Sequence, residues 1–146
     1  MAAVSPPAAS ILPELFVRRG RAAVEFYKAA FGAVELHRVG GTDAHEEVVS
    51  QLAIGAASFW VHDEAPAHGS LSSKTLGGSS VRMLLVVDDP DAVLERAVAA
   101  GATELSPVGE EHGWRVGRIA DPYGHRWEIG TPLVPWPPDA TCHGSG

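Results

Sequence analysis

Ile11 to Val17 and Val81 to Val87 are short apolar runs whose length and β-branched content suit strands. After each run the spacing of apolar positions changes to three and four. Ala23, Phe26, Tyr27 and Ala30 form one stripe, and Gly32 follows as a residue suited to a left-handed helix stop. Leu94, Ala97 and Val98 form the second, with Asp88 or Asp89 placed to cap, Pro90 in the first turn and Gly101 as the stop. Three strand-like segments follow each helix, near 33–38, 46–54 and 57–62 and again near 103–107, 115–120 and 126–130. The predicted unit is βαβββ, used twice.

The two copies align by sequence. Val17, Ala22 and Glu25 match Val87, Ala92 and Glu95 at an offset of 70, and Gly32-Ala33 and Glu35-Leu36 match Gly101-Ala102 and Glu104-Leu105 at 69, which also sets Gly55 opposite Gly124. The predicted fold class is α+β, two tandem βαβββ modules forming curved mixed or antiparallel sheets around a cleft. Module one runs from about 10 to 66 and module two from about 80 to 131, with Gly69 to Ser80 as a flexible linker. Residues 1–9, rich in Ala, Ser and Pro, and residues 132–146, with Pro132, Pro135, Pro137 and Pro138, are expected to be tails that do not pack firmly.

A chain of 146 residues should bury roughly 68% of its unfolded surface, enough for one core without a metal or disulfide. Eleven Lys and Arg against 18 Asp and Glu give a net charge of −7, and no basic cluster extends beyond Arg18, Arg19 and Arg21. Nucleic acid is therefore not an expected partner. No apolar run approaches the roughly 20 residues that span a bilayer, and the lone Cys142 cannot close an internal disulfide. With neither a basic n-region nor a long apolar stretch at the N-terminus, a cytoplasmic protein is expected.

A tandem βαβββ pair whose first helix reads Ala22-Ala23-Val24-Glu25-Phe26-Tyr27, and whose last strand follows Asp121-Pro122-Tyr123-Gly124-His125-Arg126-Trp127-Glu128, resembles the vicinal oxygen chelate superfamily. That group holds the glyoxalases, bleomycin-resistance proteins and extradiol dioxygenases. The resemblance covers residues 11–131 and implies a scaffold rather than one activity. It also implies four positions at which the metalloenzymes of the group hold a divalent ion. They map here to Leu12, Phe59, Arg82 and Glu128, using the offsets of 70 and 69. One carboxylate facing an arginine does not meet an ion's need for three or more N or O donors, so the resemblance implies a metal-free cleft with an Arg82–Glu128 ion pair. The mapping depends on register, because a one-residue slip turns every strand side chain to the other face.

Alternation on the 46–54 strand directs Leu52 and Ile54 to the helix and His45, Glu47, Val49, Gln51 and Ala53 to the cleft. Read the same way, Trp60 and Trp127 face the helices. Leu12, Phe16, Phe59, Val61, Leu84 and Val86 form an apolar cup, edged by Glu14, Glu47, Gln51, Arg82 and Glu128, with His112 and Trp114 at its mouth. His45 and Glu47 read either as a substitute metal or acid/base pair or as a solvated strand end beside a turn. Cys142 and His143 lack a third, orienting group.

The expected function is a homodimer binding a small organic molecule, aromatic and neutral or cationic, in a metal-free cleft, as in antibiotic sequestration. The alternative is a metal-dependent lyase, isomerase or dioxygenase of the same superfamily, with a divalent ion as cofactor. A third possibility is an interaction module whose sheet face is buried in a partner.

Overall fold

The computed structural model describes residues 8–138. Module one consists of β1 (Glu14–Val17), α1 (Gly20–Phe31), β2 (Val34–Gly40), β3 (Val48–Ile54) and β4 (Ala57–Asp63). A short connecting helix, α2 (Ser73–Leu76), precedes β5 (Arg82–Val86), α3 (Pro90–Ala100), β6 (Thr103–Glu111), β7 (Trp114–Ala120) and β8 (Arg126–Pro132). The sheets have the same topology, in orders β1-β4-β3-β2 and β5-β8-β7-β6. In each, the first and last strands pair in parallel and the other pairs are antiparallel. The expected α+β pair of βαβββ modules is present.

Helix α1 has one residue more than α3, twelve against eleven, which accounts for the loss of one residue between the copies. Asp89 caps α3 by accepting the Ala92 N–H at 3.2 Å, and Pro90 occupies its first turn. Arg19, at the start of α1, has no capping side chain. The cap comes instead from the end of β4, where the Asp63 carboxylate accepts the N–H groups of Gly20 at 2.8 Å and Val48 at 2.6 Å. Gly20 is required there because a Cβ would lie 2.5 Å from Asp63 Oδ2. Gly117 is a second close approach, since a Cβ on β7 would lie 2.5 Å from Leu94 of α3.

The linker is more ordered than its composition suggests. Glu64 accepts the Ser72 N–H and the Thr75 hydroxyl, Ser72 caps α2, and Ser73 is buried beside His125.

Helices α1 and α3 pack on each other, and the helix-facing sides of both sheets enter one core. Tyr27 and Phe31 of α1 lie against Trp127 of β8, which also meets Phe59 of β4 edge to face at 5.7 Å. The modules are joined by a buried polar centre at Asp121, in the β7–β8 turn. Its Oδ2 accepts the Tyr27 hydroxyl at 2.5 Å and the Trp127 indole N–H at 3.0 Å, and its Oδ1 accepts the N–H groups of Tyr123 and His125. His125 in turn donates from Nε2 to the Phe16 carbonyl at 3.0 Å.

Burial, followed by the charge of Asp121, holds the Tyr27 phenol well above its ordinary pKa of 10.0. The folded state thus keeps the proton that the unfolded chain releases first, and the stability this contributes is complete below about pH 10 and is lost as pH rises beyond it. Tyr27→Phe removes one of two donors to a buried carboxylate oxygen and should cost about 1–3 kcal/mol at neutral pH. Urea midpoints at neutral pH and above pH 10 should show the wild-type advantage over Tyr27→Phe shrinking at the alkaline end.

Candidate functional site

Core and outer faces alternate along each strand. In module two, Leu85, Gly117, Ile119, Trp127 and Ile129 turn inward, which sends Leu84, Val86, Trp114, Val116, Arg118 and Glu128 to the face away from the helices. On that face lies a cavity of about 470 Å³ lined by apolar side chains of β5 and β7, by Glu111, His112, Arg118 and Glu128, and by Trp136 from beyond β8.

Two arginines hold Glu128. Arg118 Nε donates to its Oε2 at 2.9 Å, and Arg82 Nε lies 3.3 Å from its Oε1. Arg118 also pairs with Glu111. This hydrogen bond is the main reason the Glu111 carboxyl sits below its ordinary range and the Arg118 guanidinium above its own. The expected Arg82–Glu128 pair is present, but Arg118 is the closer partner. Arg118 is opposite Glu128 in the β7–β8 register; strand alternation gives the shared face of the two side chains but not their pairing.

On β4 the expected faces are reversed. Phe59 and Val61 are 5% and 0% exposed and belong to the core, while Trp60 takes the outer face with Phe16 and His62. The reason is turn length. Seven residues separate β2 from β3 but two separate β6 from β7, which lowers the offset to 67 on the third strand (Gln51 to Arg118), and the longer β7–β8 turn restores one residue, so Phe59 is equivalent to Trp127, and Trp60 to Glu128. The offset is 68 on the last strand, as Trp60 pairs with Gln51 where Glu128 pairs with Arg118.

The remaining predicted residues divide among separate places. Leu12 precedes β1 and, with Gln51, Phe59 and Leu84, lines a groove of about 560 Å³ at the junction of the modules. This groove is larger than the cavity on module two but lacks its charged groups. Glu14 pairs with His62 at 3.1 Å, and Phe16 stacks on His62 at 4.9 Å between ring centroids. Glu47 is not on the strand, because β3 starts at Val48; it borders a cleft at the start of α1 with Arg18 and Arg19. His45 sits in the turn before it, bonded to Thr42. Leu84, His112, Trp114 and Glu128 do meet, on module two. Trp136 falls in the segment expected to be a loose tail, yet it lies edge-on to Trp114 at 5.4 Å. Cys142 lies outside the described residues.

The donor set does not suit a divalent ion. Both oxygens of Glu128 face guanidinium groups, and the other three positions, with Trp60 replacing Phe59, are Leu12, Trp60 and Arg82. Among the described residues, no three His, Cys, Asp or Glu side chains are grouped to hold a metal, and no helix is long and apolar enough to cross a membrane.

Paired βαβββ modules sharing a helical core, each with an open outer sheet face, define a vicinal oxygen chelate protein. The chain belongs to the glyoxalase-like domain family, whose pattern matches residues 15–130. It is 38% identical over 128 residues to an uncharacterized protein of Mycobacterium tuberculosis, covering 85% of this chain and 75% of that one. A solved gene product of Arabidopsis thaliana is 32% identical and superposes with a TM-score of 0.64 over 86% of this chain and 98% of its own. TioX from Micromonospora sp. ML1, at 23% identity, shares the fold with a TM-score of 0.68 over 86% of this chain and all of TioX.

Arg118→Ala should leave the half-buried Glu128 with one exposed partner and cost about 1–3 kcal/mol, whereas Arg82→Ala, at an exposed guanidinium, should cost under about 1 kcal/mol. Adding Glu128→Gln to Arg118→Ala should recover part of the loss in urea unfolding.

Proposed function

We propose that this protein binds a flat organic molecule, aromatic and neutral or cationic, in the cavity on module two, without a metal and as a homodimer. The observation that carries the reading is the composition of that cavity. Leu84, Val86, Val116 and two tryptophans supply apolar surface, and the lining carboxylates are tied to Arg118, which leaves His112 as the one lining base outside those ion pairs and no activated nucleophile beside it. Such a site sequesters a ligand rather than transforming it, which suits the capture of an antibiotic or another natural product.

The dimer is supported by what the fold leaves uncovered. Leu84 and Val86 are 48% and 55% exposed beside the cavity, and Phe16, Trp60 and His62 form an aromatic patch on the matching face of module one. A second copy presenting that patch to the cavity would cover both.

A thermal-shift screen of aromatic natural products should find compounds that raise the melting temperature with free concentration. Leu84→Arg, which inserts a charge into the cavity wall, should abolish the shift. Light scattering should give twice 15.3 kDa. Zn²⁺, Ni²⁺ and Mn²⁺ should bind weakly or not at all in calorimetry, because an ion must displace a guanidinium from Glu128 and gains one anionic ligand. Stoichiometric metal on Glu128 in protein purified without chelators would favour the lyase, isomerase or dioxygenase reading instead.

A further inference from the structure

The cavity wall contributed by Trp136 comes from neither module. Just beyond β8 the Leu133 N–H donates to the Gly113 carbonyl at 2.8 Å, and the chain then carries Trp136 to the edge of Trp114, at 5.4 Å and an interplanar angle of 73°. Pro132, Pro135, Pro137 and Pro138 have no N–H to donate, so this segment cannot extend the sheet as a further fully bonded strand. Its Leu133, Val134 and Trp136 side chains remain about half exposed. The segment is thus a strap that meets the module through the Leu133 backbone bond, Val134 beside Gly113 and the Trp136–Trp114 contact. Below it, Val116 is buried on the outer face although it is not part of the common core.

An edge-to-face pair leaves ring surface open, and Trp136 is 56% exposed, so it has indole area to give to a ligand. The charged groups along the cavity alternate in sign, Arg82, Glu128, Arg118 and Glu111, and leave no net excess. The preference for a cation therefore comes from the indole faces.

We propose that Trp136 is a ligand-contacting residue, that with Trp114 it forms an aromatic corner for a planar heteroaromatic cation, and that segment 133–138 swings aside to admit it. This rests on the reading of the module-two cavity as a ligand site and deepens it by naming the charge class and the movable wall. Binding would take the exposed part of Trp136 out of water, so the strap closes more firmly on a ligand than on the empty cavity.

The test uses the full chain and three fluorescent probes: proflavine, a planar cation; coumarin, neutral; and 8-anilinonaphthalene-1-sulfonate, an anion. Proflavine should bind most tightly and the sulfonate about tenfold or more weakly. Trp136→Ala should weaken proflavine binding about tenfold with its urea midpoint unchanged, and Trp136→Phe should retain most of the affinity. Before any probe is added, circular dichroism should show a Trp–Trp exciton couplet in the wild type that Trp136→Phe removes. Its absence from the wild type would mean that the strap does not close in solution, and would overturn the proposal whatever binds. If Trp136→Ala binds proflavine like the wild type while Leu84→Arg does not, the cavity is the site and the role of Trp136 falls alone. If no probe binds the wild type, or Leu84→Arg binds like it, the cavity reading fails and this proposal fails with it.

Discussion

The carboxylate of Asp121 is the constraint on which the arrangement of the two modules depends. It is almost fully buried, and a charge there is tolerable only when its oxygens are satisfied. Two donors are backbone groups of its own turn, Tyr123 and His125, one is the Trp127 indole of the following strand, and one is the Tyr27 hydroxyl, 94 residues away in the other module. Displacing α1 from β8 would leave Asp121 short of a donor and the Tyr27 hydroxyl buried without an acceptor, each a cost of about 1–3 kcal/mol. The same contact brings Tyr27, Phe31, Phe59 and Trp127 into one aromatic cluster, so polar satisfaction and apolar packing select a single relative placement.

That placement determines where a ligand can bind. With α1 against α3, the inner sides of both sheets are occupied by the common core, and the outer sides hold whatever chemistry the chain presents. The two outer faces have diverged. Module one shows Phe16, Trp60 and His62 with Glu14 on the histidine, while module two shows an apolar wall crossed by the chain of charges Arg82, Glu128, Arg118 and Glu111. Each charge in that chain has an opposite neighbour. Such a row orients a bound molecule by its edges and leaves the binding energy to apolar contact.

The sheet repeats, but the elements around it do not. The one-residue difference between α1 and α3 and the unequal turns before β4 and β8 let two copies of one topology carry different side chains at equivalent points, with Trp60 where module two has Glu128. The strap after β8 has no described counterpart after β4, where the chain runs instead into α2. Proline content, read as a sign of looseness, is consistent with a segment that packs through side chains because it lacks backbone donors.

The sequence by itself determined what is periodic or repeated: two βαβββ units, the helix stripes with their glycine stops, the inward Leu52 and the outward Leu84. Those features follow from local geometry, in which side-chain direction is set by spacing along one element. The tertiary structure alone decided which face of β4 is buried. An offset carried across two turns of different length accumulates an error of one residue, and on a strand one residue exchanges Phe59 with Trp60. It also decided the partners that meet only across elements: Asp63 as the cap of α1, Asp121 as the acceptor for Tyr27, Arg118 as the closer partner of Glu128, and Trp136 against Trp114. None of these pairs has a characteristic spacing, because strand pairing, turn length and the packing of α1 on α3 bring them together.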